Sequence, residues 1–208
     1  MTVMQAQVPQ FISLEGGEGA GKSTQIKMLS DWLTEQGFSV CATREPGGSP
    51  GAEEIRELLV KGAGDRWASM TEALLMAASR AEHVERRIKP AFEAGEWVLC
   101  DRFFDSSVAY QGASRGLGMK RVKDLQTLAL GDFEPDLTLI LDLPVSVGLA
   151  RAKAREGDKA ESEDRFEQLD LSFHETLRAA YLELATREPK RCVVIDADQT
   201  PEELQQEI

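Results

Sequence analysis

Five short apolar runs punctuate the chain, and each carries a charged residue at or next to its end: "FISLE" (Phe11–Glu15), "FSVCATR" (Phe38–Arg44), "WVLCD" (Trp97–Asp101), "LTLILDL" (Leu137–Leu143) and "RCVVIDA" (Arg191–Ala197). Their lengths and their β-branched and aromatic content predict buried strands. Between them the apolar residues recur every three or four positions, the spacing of an amphipathic helix. The pattern predicts helices over "KSTQIKMLSDWLTEQ" as far as Gly37, over "AEEIRELLV", over Met70–Phe92, through most of the stretch to Gly131, over "VSVGLARAKARE", and over a segment reaching about Glu188. A last helix opens at "TPEELQQEI", with Thr200 as N-cap and Pro201 in its first position. The chain stops about two turns into that helix, and a longer natural C-terminus is expected. Strands alternating with helices imply an α/β fold whose parallel sheet is covered on both faces. Without repeats or a linker, residues 1–208 read as one domain, preceded by a short N-terminal extension over 1–9.

Charge narrows the choice of partners. The formal net charge is −12, which argues against a general grip on nucleic acid. If phosphates bind, a local pocket must hold them against the overall field. Cys41, Cys100 and Cys192 are widely spaced and form no C-x-x-C pair, so buried free thiols in a reducing cytoplasm are expected. The first ten residues lack the basic and apolar regions of a signal peptide, and no apolar run reaches the ~18 residues of a membrane span.

Such a pocket has a candidate directly after the first strand. "GGEGAGKS" (Gly16–Ser23) fits G-x-x-x-x-G-K-[ST], followed by Thr24 and the first helix. Its glycines let the backbone curl so that the N–H groups of Gly16, Gly17, Glu18, Gly19, Ala20 and Gly21 line one concavity, and the helix N-terminus adds partial positive charge. Lys22 is then expected at the outer phosphates and the Ser23 hydroxyl on Mg²⁺, which makes a nucleoside triphosphate with Mg²⁺ the expected ligand.

Binding a nucleoside triphosphate leaves a switch, a motor and a kinase open. The D-x-x-G and N-K-x-D sequences of a GTPase switch are both absent, and no strand ends in Asp-Glu as in a large ATPase. A phosphotransferase needs an acceptor site and a way to exclude water. In "RAKARE", Arg151 and Arg155 share a helix face, with Lys153 nearby. By itself such a face reads as solvated surface. Here it precedes the acidic, glycine-containing stretch Gly157–Asp164, which reads as a mobile lid over about 151–165, and a lid arginine can stabilise charge on a transferring phosphoryl group.

Four stretches, "LEGGEGAGKST", "REPGGSP", "DRFFDSSVAYQG" and "DRFEQ", occur in an order and at separations that closely resemble bacterial thymidylate kinase (dTMP kinase) from Phe11 to about Asp198. The resemblance implies a P-loop NTPase fold with a five-stranded parallel sheet, a homodimer, and γ-phosphate transfer from ATP to dTMP, with neither nucleic acid nor membrane as partner. It implies that Glu18 lies near the acceptor sugar and the metal, that Asp101 neighbours the metal and Lys22, and that Arg102 holds the acceptor phosphate. It further implies Arg80 on the thymine carbonyl, Ser107 at the base edge, Tyr110 against the sugar 2′ position with Gln111 beside it, and Arg151 or Arg155 as the catalytic lid arginine. Arg44, Glu45 and Pro46 would flank the acceptor, with a cis Glu45–Pro46 peptide. Two departures stand out. Met76 occupies the position where many members stack a phenylalanine on the base, and "EGDKAESE" makes the lid longer and more acidic than usual. Two other readings remain open: a different nucleoside monophosphate or deoxynucleoside kinase on the same fold, and a non-catalytic P-loop switch.

Overall fold

A computed structural model of the chain describes residues 10–156, 165–166 and 169–208. The N-terminal extension and most of the expected lid lie outside these residues. Five strands, β1 (Phe11–Gly16), β2 (Val40–Arg44), β3 (Trp97–Asp101), β4 (Leu137–Asp142) and β5 (Cys192–Asp196), form one parallel sheet in the order β2-β3-β1-β4-β5. Side chains alternate across a strand, so β1 sends Ile12 and Leu14 into one core and Phe11 into another. The first core is closed by α1 (Lys22–Glu35) and α9 (Pro201–Glu207), the second by α8 (Leu171–Arg187) and a cluster of phenylalanine rings.

Ser13 and Glu15 share the Phe11 face, where a polar seam runs beneath the sheet. Ser13 bonds Thr138, Thr138 bonds Asp105, and Arg191 donates to Asp105 in a bidentate pair at 2.6 and 2.9 Å. Burying these groups is tolerable because each has a partner. The three cysteines are free and buried, as expected, and Thr200 caps α9 with a capping box to Glu203.

The helix expected over Met70–Phe92 is not uniform. It runs as α3 (Ser69–His83), widens to π-helical backbone over Val84–Ile88, and resumes as α4 (Lys89–Glu93). Pro90 supplies the reason: it has no N–H and its ring crowds the carbonyl four residues back, which a wider turn relieves. After α5 (Phe104–Ser107), a second π-helical stretch, Val108–Ser114, precedes α6 (Met119–Leu130). The helix after β2 starts earlier than its apolar spacing suggests, as α2 (Pro50–Val60). α7 (Val145–Glu156) follows β4, and among the described helices none is long and apolar enough to cross a membrane.

Two close approaches position the site. A Cβ on Gly19 would lie 2.1 Å from the Gly148 carbonyl oxygen, and one on Gly148 would lie 2.4 Å from that of Glu18, so α7 rests backbone to backbone on the glycine loop. Elsewhere, fully buried Arg165 donates to the Leu59, Ala63 and Gly64 carbonyls and to Glu72 at 2.5 Å, while Arg115 shares Glu72 and Gly64. This ties the end of the expected lid to the loop between α2 and α3.

Glu72→Ala leaves two arginines without their shared carboxylate, one of them wholly enclosed. Breaking a buried pair from one side costs about 3–5 kcal/mol, so thermal unfolding is expected to show a midpoint lower by roughly 10 °C.

Candidate active site

The C-terminal ends of β1, β2 and β3 open together onto a cleft of about 730 Å³, the edge of an open α/β sheet where ligands bind. At one end lies the glycine loop. Glu18 through Thr24 line the cleft, while the Gly16 and Gly17 carbonyls face inward and accept from Lys22 Nζ at 3.2 and 2.9 Å. Burial, reinforced by Arg102 nearby, pulls the Lys22 ammonium down to about 8 against the pull of Asp101, Glu18 and Glu15. Beside it Ser23 Oγ donates to Asp101 Oδ2 at 2.6 Å, bringing together the hydroxyl and carboxylate expected at a metal.

Arg102 occupies the middle of the cleft. Its backbone is left-handed, with φ at 67°, a conformation that a side chain larger than glycine adopts at a cost of roughly 1–2 kcal/mol. The guanidinium donates to the Gly16 carbonyl at 2.9 Å, Glu18 Oε1 at 3.0 Å, Tyr181 at 3.2 Å and Ser106 at 3.3 Å, and lies 5.1 Å from the centre of the Tyr110 ring. Tyr110 in turn donates its hydroxyl proton to Glu18 at 2.5 Å. Burial pushes the Glu18 carboxyl up, but Arg102, Lys22 and the Tyr110 hydroxyl outweigh it and hold it down at about 2. Glu18 is therefore bonded on the side of Arg102 and Tyr110.

The far end is built around Glu45. The Glu45–Pro46 peptide is cis, as expected, and the buried Glu45 carboxylate pairs with Arg80 Nε at 2.6 Å and His83 Nδ1 at 3.0 Å. Arg80 also donates to Ser107 at 2.9 Å, and to the Phe103 carbonyl and Gln126 at 3.3 Å. Among the described residues, four of its five N–H donors are thus engaged and one is left. Gln111 donates its amide to Glu72 at 2.9 Å, while its Oε1, buried against the cleft, has no partner among the described residues. Met76 lines this end, and Arg44 stands at the mouth, paired with Glu53.

Most expected residues are thus gathered around one cleft, with one clear exception. Arg151, expected as a catalytic lid arginine, turns away: it donates to the Ala197 carbonyl at 3.0 Å and pairs with Asp198 at 3.3 Å, and it does not line the cleft. Its position one turn before the helix end leaves it within reach of the loop after β5, which competes for the guanidinium. Arg155 lies one residue before the end of the same helix, and its side chain lies outside the described part of the chain. Sequence reasoning assigns no role to Arg56, Phe166 or Ser106, which also line the cleft. Nor does it single out Glu15, next to last in β1 and fully buried, accepting from Phe103 N at 2.7 Å and Ser106 Oγ at 2.5 Å. A glutamate at the close of an apolar strand was the available signal. Burial and the neighbouring Asp105 raise its carboxyl to about 7.

The chain is similar to known proteins along nearly its whole length. A family model described as thymidylate kinase matches residues 14–208. The chain is 60% identical to a thymidylate kinase of Caulobacter vibrioides over 188 residues, covering 90% of this chain and 88% of that one. It is 53% identical to a thymidylate kinase of a Bradyrhizobium species over 193 residues, covering 93% and 84%. A crystal structure of thymidylate kinase from Ehrlichia chaffeensis superposes with a TM-score of 0.75 at 31% identity, covering 97% of each chain.

The Glu15 carboxyl keeps its proton in the folded protein up to about pH 7, whereas an ordinary glutamate releases it near 4.5. Its contribution to folding is therefore lost progressively as pH rises from 4.5 to 7 and falls no further above that. In denaturant titrations across this range, Glu15→Gln is expected to flatten the decline and to narrow the gap between pH 5 and pH 8.

Proposed function

The chain belongs to the thymidylate kinase family, ATP-dependent enzymes that move the γ-phosphate of ATP to dTMP to give dTDP and ADP, and we propose how the residues of its cleft divide that work. The observation that carries the assignment is the cluster of Arg102, Glu18 and Tyr110, which separates a glycine loop suited to a triphosphate from a pocket suited to a base. In this reading Arg102 grips the acceptor phosphate between the two nucleotides. Glu18 receives the sugar 3′-hydroxyl, and the Tyr110 ring crowds the 2′ position so that deoxyribose is favoured.

At the base end, Arg80 offers its remaining N–H to a thymine carbonyl, and the unpartnered Gln111 Oε1 suits the ring N–H. Ser107 and Glu45 fix the angle of Arg80, and Met76 covers the base face with a polarisable thioether. Arg44 and Pro46 border the acceptor.

At the triphosphate end, the backbone N–H groups of Gly16–Thr24 cradle the β- and γ-phosphates and Lys22 neutralises them. Ser23 and Asp101 present two hard oxygens close together, a donor set that fits Mg²⁺, which keeps most of its shell as water and phosphate oxygen. Bound there, the ion would neutralise phosphate charge. The acceptor oxygen is already largely ionised near neutral pH, since such phosphates have a second pKa near ~6. No general base is needed, and rate comes from alignment and charge neutralisation by Lys22, Arg102 and a lid arginine, for which Arg155 is the candidate.

Leu74 on α3 and Leu128 on α6 are large apolar side chains left exposed, and a second copy of the chain is their proposed cover. The buried free thiols suit work in the cytoplasm. The net charge of −12 disfavours nucleic acid as a partner.

ADP release measured with dTMP, dUMP, dCMP, UMP and AMP is expected to rank dTMP first, dUMP behind it, and UMP and AMP at background. A preference for UMP would sink the assignment of Tyr110 and Gln111. Arg102→Ala is expected to lower kcat on the order of 10³-fold with ATP binding retained.

A further inference from the structure

We propose that Tyr181, on α8, is a positioning residue for phosphoryl transfer, its hydroxyl fixing the Arg102 guanidinium through a chain of hydroxyls anchored on Glu15. Tyr181 lies outside every motif of the cleft, is only 2% exposed and does not line the cleft. Its hydroxyl lies 3.2 Å from Arg102 Nη1, 2.8 Å from Ser106 Oγ and 3.3 Å from Glu15 Oε2. Ser106 Oγ stands 2.5 Å from the same Glu15 oxygen and 3.3 Å from the same Arg102 nitrogen.

The direction of the protons follows from this arrangement. Once Glu15 is ionised, above about pH 7, the Ser106 hydroxyl proton goes to its carboxylate, the nearest acceptor, and the Tyr181 proton goes to Ser106 Oγ. With both protons drawn toward Glu15, the lone pairs of the two hydroxyls face Arg102, whose N–H groups can only donate. Together with the Gly16 carbonyl, they give Nη1 three oxygens to choose among on the inner side of the guanidinium, while Glu18 holds Nη2 on the outer side. A planar guanidinium held on both sides has little freedom to rotate.

Backbone constraint makes the side-chain grip matter more. Arg102 starts from a left-handed residue, and the Phe103 N–H just after it is bonded to Glu15 Oε1 at 2.7 Å. Glu15 therefore fixes both where the Arg102 backbone leaves β3 and, through Ser106 and Tyr181, where its side chain ends. Reactions that depend on alignment lose rate steeply with small displacements. Among the described residues, Tyr181 is also the hydrogen bond by which α8, the helix entered just beyond Arg165 and Phe166, reaches this guanidinium.

The proposal rests on Arg102 gripping the acceptor phosphate, so the experiment separates the two ideas. Kinetics are measured for wild type, Tyr181→Phe, Ser106→Ala, Arg102→Lys and the double variant Tyr181→Phe/Arg102→Lys, with folding checked by circular dichroism. Tyr181→Phe removes one hydroxyl and keeps the ring in its core. It is expected to lower kcat/KM for dTMP on the order of tenfold with KM for ATP unchanged, and Ser106→Ala is expected to show the same split. Against Arg102→Lys, the Tyr181→Phe change is expected to have almost no further effect. Wild-type kinetics for Tyr181→Phe, or an equal loss with Arg102 and with Lys at that position, overturns the proposal. Full activity in Arg102→Lys would overturn instead the role given to Arg102.

Discussion

The Arg102 guanidinium is where the molecule comes together. It lies just past the end of β3 and bonds to the end of β1, the glycine loop, α5 and α8, with the Tyr110 ring against it. Lys22 is buried a short way off, and Arg80, Arg44 and Arg56 border the same cleft. A chain with a net charge of −12 thus concentrates part of its scarce positive charge in one hollow. Low-dielectric walls focus that charge, so anions are drawn to the cleft although the surface as a whole repels them.

Several enclosed arginines are held by assigned carboxylates: Glu18 for Arg102, Glu45 for Arg80, and Glu72 for Arg165 and Arg115. Buried pairs of this kind are weak evidence for stability, because desolvation offsets much of their attraction. What they supply is direction. A guanidinium bonded along one edge presents its other edge at a fixed angle, which a flexible surface arginine cannot do. Glu15 works differently: it holds backbone and hydroxyls, with its carboxyl raised to about 7 by burial and Asp105.

The order of strands and helices was legible in the sequence because apolar spacing is a local property, and "GGEGAGKS" carried its chemistry in its own spacing. The roles of Arg80, Ser107 and Tyr110 came from family resemblance, since nothing local distinguishes a buried guanidinium from a surface one. What remained hidden depends on distant partners. Glu15 meets Tyr181 across 166 positions, and Arg165 meets Glu72 across 93. The orientation of Arg151 is set by Ala197 and Asp198, residues its own helix cannot foretell. The widened turn at Val84–Ile88 had a visible cause in Pro90, yet apolar periodicity alone runs straight through it.

The bare contact between Gly19 and Gly148 has a mechanical consequence. With no side chain between them, the glycine loop and the root of α7 have no compliant layer to absorb relative motion. From Gly148 the helix extends roughly 12 Å to its end at Glu156. It therefore acts as a stiff lever whose fulcrum is the phosphate cradle itself: a small rotation of the cradle sweeps the tip through a larger arc, and a load on the tip is felt first at Glu18.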